Sequence, residues 1–184
     1  MSLKNLYIIG GTMGVGKTTT CRILKNQLKN SAFLDGDWCW DMNPFSVTDE
    51  TKKMVLDNIC YVLNNFIKCS IFENIIFCWV LHEQSIIDTI MSKLNLTGVK
   101  TISVSLVCRE EKLRERLYKD VRAEIRKSDV IDRSIQRAPL YEKLNTYKIN
   151  ISDISAEEAA KQIKELTQIL SIIRYNKINI VCNF

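Results

Sequence analysis

A glycine-rich stretch near the N-terminus, GGTMGVGKTTT at residues 10–20, restricts the fold of this chain more than any other feature. The stretch holds four of the six glycines, and residues 11–18 fit the pattern G-x-x-x-x-G-K-[ST]. Glycines let a backbone adopt positive φ and direct N–H groups at an anion, and a following helix adds partial positive charge. An apolar run at residues 6–10 precedes the stretch, and a helical pattern follows it. The sequence therefore predicts a phosphate-binding loop between a buried strand and a helix.

Each residue type in this loop has a predicted role. We expect Lys17 to neutralise the β- and γ-phosphates as a catalytic residue and the Thr18 hydroxyl to bind magnesium. ATP and Mg²⁺ are the expected cofactors. The predicted nucleotide-binding residues of the loop are Gly11, Thr12, Met13, Gly14, Val15, Gly16, Lys17, Thr18 and Thr19.

Strand and helix patterns alternate along the chain, which favours a parallel sheet covered on both faces. The predicted strands lie at residues 6–10, 31–35, 74–81, 101–108 and 146–151, and the later helices at 109–127 and 130–143. We expect an α/β protein with three layers (α/β/α), a five-stranded, mostly parallel sheet and a small helical lid. A single domain is expected over residues 1–170, with the lid near 118–137. The tail at 171–184 has no assigned role, although it could add an edge strand or cover a core face.

Composition narrows the class of protein. Seven cysteines without a C-x-x-C pair, and a single histidine, His82, argue against a zinc site and favour a reducing cytoplasm. No apolar run is long enough to span a bilayer. The net charge is +5, and residues 109–148 hold twelve Lys/Arg against eight Asp/Glu, which indicates either a solvated helix face or a field that receives polyphosphate. Nucleic-acid binding is not expected, because the charge is modest and no basic tail is present.

A second candidate site is the D-G-D sequence of Asp35, Gly36 and Asp37. It follows the second predicted strand, so both carboxylates should emerge at the carboxyl edge of the sheet beside the phosphate-binding loop. We expect Asp37 to take a proton from an acceptor hydroxyl and to orient the acceptor, and Asp35 to hold magnesium through water and to border the substrate. The two roles could be exchanged, and the alternative for the motif as a whole is an ordinary turn.

These motifs, together with the arginine-bearing segment DVIDRSIQR at 129–137, resemble the small P-loop kinases over about residues 3–170. That group includes gluconate, adenylylsulfate and shikimate kinases, chloramphenicol phosphotransferase and adenylate-kinase-like enzymes. The resemblance implies a mobile lid whose arginines reach the migrating phosphoryl group, and a guanidinium that lies against adenine. The lid roles fall on Arg126, Arg133 and Arg137, with a weaker match at Arg122, and the adenine contact falls on Arg116. Surface ion pairs with Asp120, Asp129 or Asp132 are the alternative for these arginines.

Aromatic residues surround the expected acceptor site. Trp38, Trp40 and Phe45 are predicted to form one wall, with Trp79 and His82 opposite, although aromatic side chains are often core residues and His82 could be structural. The aromatic wall indicates a planar or partly apolar alcohol, such as a nucleoside, an aminoglycoside-like or phenolic antibiotic, or a sugar nucleotide. The expected activity is ATP-dependent phosphoryl transfer to a small-molecule hydroxyl. The alternatives are a nucleoside or nucleotide kinase, and a nucleotide-binding regulator without kinase activity.

Overall fold

A computed structural model describes residues 3–181, with side chains as far as residue 170. Five strands form one sheet in the order β2-β3-β1-β4-β5, and all four pairings are parallel. The strands are Lys4–Gly10 (β1), Ser31–Asp35 (β2), Asn74–Cys78 (β3), Val99–Val107 (β4) and Tyr147–Asn150 (β5). The predicted α/β class and five-stranded sheet are confirmed.

Helices cover both faces of this sheet. They are Lys17–Gln27 (α1), Asp49–Lys68 (α2), Gln84–Ser92 (α3), Glu110–Arg122 (α4), Val130–Arg137 (α5) and Ala156–Val181 (α6), with short 3₁₀ turns at Gly36–Trp40 and Ala138–Lys143. Because side chains alternate along a strand, Leu6 and Ile8 of β1 join the core under α2 and α3. Tyr7 and Ile9 join the opposite core, under α1 and α6. The sheet is therefore the middle of three layers.

Side-chain caps lie at the starts of two helices. Thr48 caps α2 in a capping box, accepting from the Thr51 N–H while its own N–H donates to the Thr51 hydroxyl. The Glu158 N–H donates to the Ser155 hydroxyl over 3.2 Å just before the first turn of α6. Local side-chain chemistry therefore places these helix starts.

Two predicted helix ends are wrong. The helix expected at 109–127 ends at Arg122, because Glu124 adopts a left-handed conformation with φ 56°, and Ile125 is 69% exposed. The helix expected at 130–143 ends at Arg137 and continues only as a 3₁₀ turn. Pro139 has no N–H to donate to the carbonyl four residues earlier, which accounts for the change of geometry.

The C-terminal segment also differs from expectation. Helix α6 runs past residue 170 to Val181, so no edge strand forms between 171 and 181, and residues 182–184 lie outside the described part of the chain. Within residues 3–181, no helix combines the length and apolarity that a membrane span requires.

Candidate functional site

The glycine-rich loop joins β1 to α1 at the carboxyl edge of the sheet. Its backbone is left-handed at Gly14 (φ 78°) and Gly16 (φ 98°), and Gly11 has φ 154°. A Cβ on Gly14 would lie 2.4 Å from Cδ2 of Leu117 in α4, so this position requires glycine for space as well as conformation. The loop therefore has the backbone and packing that its sequence predicts.

Lys17 is buried at the base of this loop, with 8% of its surface exposed. Its Nζ donates a hydrogen bond to the Thr12 carbonyl over 3.0 Å. Burial lowers the pKa of Lys17, while Cys78 and the carboxylates of Asp37 and Asp35 act in the opposite direction. The lysine is thus held inside the loop and lacks a direct carboxylate partner among the described residues, which leaves its charge available for an anion.

Asp35 connects the loop to the end of β2. The Thr18 hydroxyl donates to its Oδ2 over 2.6 Å, and the Asp37 N–H donates to its Oδ1 over 3.1 Å. Only 4% of Asp35 is exposed. A hydroxyl beside a buried carboxylate supplies the hard oxygen ligands that Mg²⁺ prefers, so these two residues fit a nucleotide-bound magnesium ion.

Asp37 lines a cleft of about 1150 Å³. Loss of solvation and the nearby Asp35 carboxylate raise the pKa of Asp37 above its usual range. Lys17, Arg126 and a hydrogen bond with Trp79 lower the same pKa to a smaller extent. Residue 37 is nevertheless open toward the cleft, so an entering hydroxyl can reach a carboxylate whose pKa is raised.

The cleft brings together the predicted aromatic walls. The expected residues that line it are Trp38, Trp40, Phe45, Trp79 and His82. The rings of Trp40 and Phe45 are 5.9 Å apart, and a Cβ on Gly36 would lie 2.5 Å from Cγ of Trp79, so this glycine lets the indole approach the D-G-D backbone. His82 contacts the Val80 carbonyl through Nδ1 at 3.4 Å, and its Nε2 lies 3.3 Å from Oε1 of Glu83.

Other residues of the cleft were not predicted. They are Asp41, Val47, Lys52, Val80, Glu83 and Ile86, whereas Met13, which also lines the cleft, was predicted as a residue of the nucleotide-binding loop. Asp41 and Glu83 directly follow Trp40 and His82 in the sequence, so their neighbours could have indicated them. Lys52 reaches the cleft from the first turns of α2, and no local pattern marks it.

The lid arginines have three different environments. Arg133 and Arg137 line the cleft, and Arg126 lines an adjoining cavity of about 490 Å³. Arg126 pairs with Asp120 (Nε to Oδ2, 3.1 Å), and Arg133 pairs with Asp129 (Nη2 to Oδ2, 3.0 Å), so the alternative ion pairs do form. Among the described residues Arg137 has no carboxylate partner. Arg122, the weakest prediction, ends α4 and lines neither cavity.

Arg116 links two loops instead of pairing with Asp120. Its Nη1 donates to the Val15 carbonyl over 3.3 Å, and its Nη2 donates to the Ile151 carbonyl over 2.8 Å. The guanidinium therefore joins the glycine-rich loop to the segment after β5. The sequence-based expectation placed it next to an adenine base, and that expectation stays a prediction.

A further connection joins the glycine-rich loop to α5. The Thr12 hydroxyl donates to the Ser134 carbonyl over 3.1 Å, and both residues are buried. The hydroxyls of Ser134 and Tyr141 are buried without a hydrogen-bond partner among the described residues. Sequence reasoning did not find this contact, because the segment 129–137 was noted only for its arginines and the contact spans 122 residues.

Comparisons with known proteins agree with this geometry. The family model described as an AAA domain matches residues 8–137. No curated protein sequence matches significantly. Among solved structures, a gluconokinase from Sinorhizobium meliloti 1021 has a TM-score of 0.69 at 14% identity, covering 96% of this chain and 99% of that chain. The tunicamycin resistance protein of Deinococcus radiodurans has a TM-score of 0.66 at 18% identity, covering 89% and 95%.

A third similar structure is the shikimate kinase of Acinetobacter baumannii in complex with shikimate. It has a TM-score of 0.58 at 24% identity and covers 92% of this chain and 94% of that chain. The predicted resemblance to the small P-loop kinases is confirmed at the level of the fold.

Proposed function

Since the chain belongs to the AAA domain family and has the fold of the P-loop kinases, we propose that it is an ATP-dependent phosphotransferase. It moves the γ-phosphoryl group of MgATP to a hydroxyl of a small molecule. The observation that carries this proposal is the position of Asp37, which lines a large cleft and interacts electrostatically with both Lys17 and Arg126. A carboxylate between a phosphate-binding lysine and an acceptor-sized cleft is suited to phosphoryl transfer.

Asp37 is the proposed base. As the acceptor oxygen forms its bond to the γ-phosphorus, the hydroxyl proton passes to a carboxylate oxygen of Asp37, and the bond from the γ-phosphorus to the bridging oxygen of ADP breaks. The raised pKa of Asp37 makes its carboxylate a stronger proton acceptor, which favours this proton transfer. Asp37 also orients the acceptor.

The remaining residues bind and stabilise charge. Residues 11–19 hold the phosphates, Lys17 neutralises charge on the transferring group, and Arg116 lies next to the adenine. Thr18 and Asp35 would hold magnesium, which would supply charge neutralisation at the phosphates. Arg126, Arg133 and Arg137 are proposed to close over the nucleotide with the lid, since all three line the cavities beside Asp37.

The test is ADP release from MgATP, measured alone and with pooled sugars, nucleosides, nucleotides and antibiotics. We expect release that depends on an acceptor pool and that is absent from the Lys17→Ala variant. Release confined to nucleoside or nucleotide pools would narrow the activity to that class. ATP binding without acceptor-dependent release would contradict the proposal and favour a nucleotide-binding regulator.

A further inference from the structure

We infer that the acceptor is an aromatic alcohol without acidic groups, either uncharged or cationic. This inference rests on the proposed function and identifies the substrate class of the same cleft. It follows from two independent properties of the cleft, its aromatic surface and its charge.

The aromatic surface is concentrated in this one place. All three tryptophans of the chain, Trp38, Trp40 and Trp79, line the cleft with Phe45. Trp38 is 52% exposed and Phe45 is 68% exposed, although burying such rings stabilises a protein. Large aromatic surfaces that stay open to solvent beside a proposed base are suited to stacking on a planar ring of a ligand.

These rings are supported from behind. The Trp38 ring packs edge-on against Phe33 with centroids 5.3 Å apart, and Trp40 packs against Phe45 at 5.9 Å. Trp79 packs over Gly36. Because Trp38 remains 52% exposed beside these contacts, a planar acceptor can stack with little reorganisation of the wall.

The charges of the cleft favour an acceptor without acidic groups. Its carboxylates are Asp37, Asp41 and Glu83, and its cations are Lys52, Arg133 and Arg137. Lys52 already pairs with Asp49 over 3.1 Å, and Arg133 pairs with Asp129.

Arg137, the cleft cation without a carboxylate partner among the described residues, is assigned to the nucleotide phosphates by the proposed function. No unpaired cation of the described cleft therefore remains for a carboxylate or phosphate on the acceptor. The three carboxylates would repel such a group and would favour an amine.

The cleft also has room for such a molecule. A volume of about 1150 Å³ is large enough for a ring with polar substituents. The acceptor would place its ring against Trp38 and Phe45 and its hydroxyl at Asp37. Among the sequence-based candidates, a nucleoside or a phenolic antibiotic fits this description, whereas an aminoglycoside-like antibiotic without an aromatic ring and a sugar nucleotide do not.

Tryptophan fluorescence measures binding directly, because every tryptophan lies in the cleft. With a non-hydrolysable ATP analogue present, we would titrate an uncharged phenyl glycoside, an aryl amino alcohol, the same glycoside with a ring carboxylate, and shikimate. We expect the first two to bind about tenfold or more tightly than the carboxylates, which corresponds to the repulsion of one added anion. Trp38→Leu should weaken their binding by about 3- to 10-fold, and the matched control Tyr61→Leu, an exposed ring on α2, should not.

A double variant of two cleft carboxylates tests the charge argument separately. Asp41→Asn combined with Glu83→Gln should bring the ratio of the Kd of the carboxylated glycoside to the Kd of the uncharged one closer to one. This selectivity change would not result from a purely structural role of the two acids. A double variant that keeps the wild-type preference would overturn the charge argument.

ADP release from MgATP with the same compounds separates the two proposals. The inference is overturned if the carboxylated compounds bind as tightly as the others or more tightly, or if no compound quenches the fluorescence. Phosphoryl transfer to shikimate alone would also overturn the inference, but it would leave the kinase proposal intact. Preferred binding of the uncharged and cationic compounds without any transfer supports the binding preference and contradicts the proposed function.

Discussion

Lys17 combines the charge that binds phosphate with a position that is unfavourable for a charge. Its pKa is lowered by burial, so the folded state disfavours the protonated form relative to the unfolded chain. The charged lysine therefore costs stability at neutral pH, and the cost decreases as the pH rises through the lowered pKa. A bound phosphate would remove the cost, because it supplies the counter-charge that the described loop lacks.

Lys17→Met tests this balance at one residue. We expect loss of acceptor-dependent ADP release with a Tm equal to or above that of the wild type, because an apolar side chain of similar length replaces a buried cation. Activity assays and thermal unfolding without nucleotide measure the two effects, with the exposed Lys29→Met on the segment after α1 as the control. Wild-type turnover in Lys17→Met would refute the assignment of the loop.

Asp37→Asn removes the proposed base without changing the size of the side chain. We expect phosphoryl transfer to fall by about 10²- to 10⁴-fold while ATP affinity changes only a few fold. The pKa of Asp37 is raised, so wild-type activity should fall as the pH drops below neutral, at a higher pH than an ordinary carboxylate would cause. The pH profile of kcat measures this loss of activity at low pH, and the profile of Asp37→Asn should not show it. Unchanged transfer would move the role to Asp35.

Gly14 and Gly98 form a matched pair for the packing of the glycine-rich loop. Both have positive φ, 78° and 72°, but only a Cβ on Gly14 would meet a neighbour, Leu117. Gly98→Ala should cost about 1 kcal/mol of unfolding free energy from backbone strain alone. Gly14→Ala should cost about 2–4 kcal/mol, because overpacking adds to the strain, and should weaken ATP binding. Denaturant unfolding compares the two, and equal costs would show that the Leu117 contact is unimportant.

Helix α5 is the element whose arginines face the cleft, and its two arginines differ in their pairing. Arg133 is partly neutralised by Asp129, whereas Arg137 has no described partner. Arg137→Ala should therefore lower phosphoryl transfer more than Arg133→Ala does, and Arg137→Lys should restore only part of it because lysine lacks the planar fork. Steady-state kinetics of the three variants, with exposed Arg22→Ala on α1 as the control, tests this order. A larger loss in Arg133→Ala would reverse the assignment.

Elements within the sheet were more predictable than those of the lid. The strand Ser31–Asp35 was predicted to the residue, because an apolar run ends there in carboxylates and a glycine. The end of α4 was not predicted correctly, since the apolar spacing of Leu117, Val121 and Ile125 continues beyond the helix. The spacing of apolar residues indicates which residues could share one face of a helix. The left-handed turn at Glu124, in contrast, depends on how α4 and α5 pack together.

In the candidate site, too, some residues could be predicted from the sequence and others could not. Residues 11–19 and the D-G-D sequence could be placed from local motifs plus the rule that parallel strands end at one edge. The contact between Thr12 and Ser134 could not be predicted in this way, and neither could the position of Lys52 at the cleft. Each brings together segments that are distant in sequence. The way the charges of the cleft are paired also depends on this assembly, and the proposal based on it narrows an acceptor class that the sequence left broad.

The proposed domain boundary at residue 170 is a prediction about the whole chain. The buried core side chains of α6 are Ala159, Ala160 and Ile163, and Leu166 and Leu170 pack against the same core. A protein ending at residue 170 should unfold cooperatively with a Tm within about 5 °C of the full chain, because the truncation spares these contacts. Calorimetry of both lengths measures this. A non-cooperative transition would place part of the core beyond residue 170.

Transfer of a labelled γ-phosphoryl group tests the central claim most directly. The full-length protein would be incubated with ATP labelled at the γ-phosphorus, magnesium and an aryl alcohol that quenches its tryptophan fluorescence. The account predicts that the label appears on the acceptor in the same amount as ADP, and that Asp37→Asn reduces both. Label found only in inorganic phosphate, or no transfer although ATP and the alcohol both bind, would contradict it.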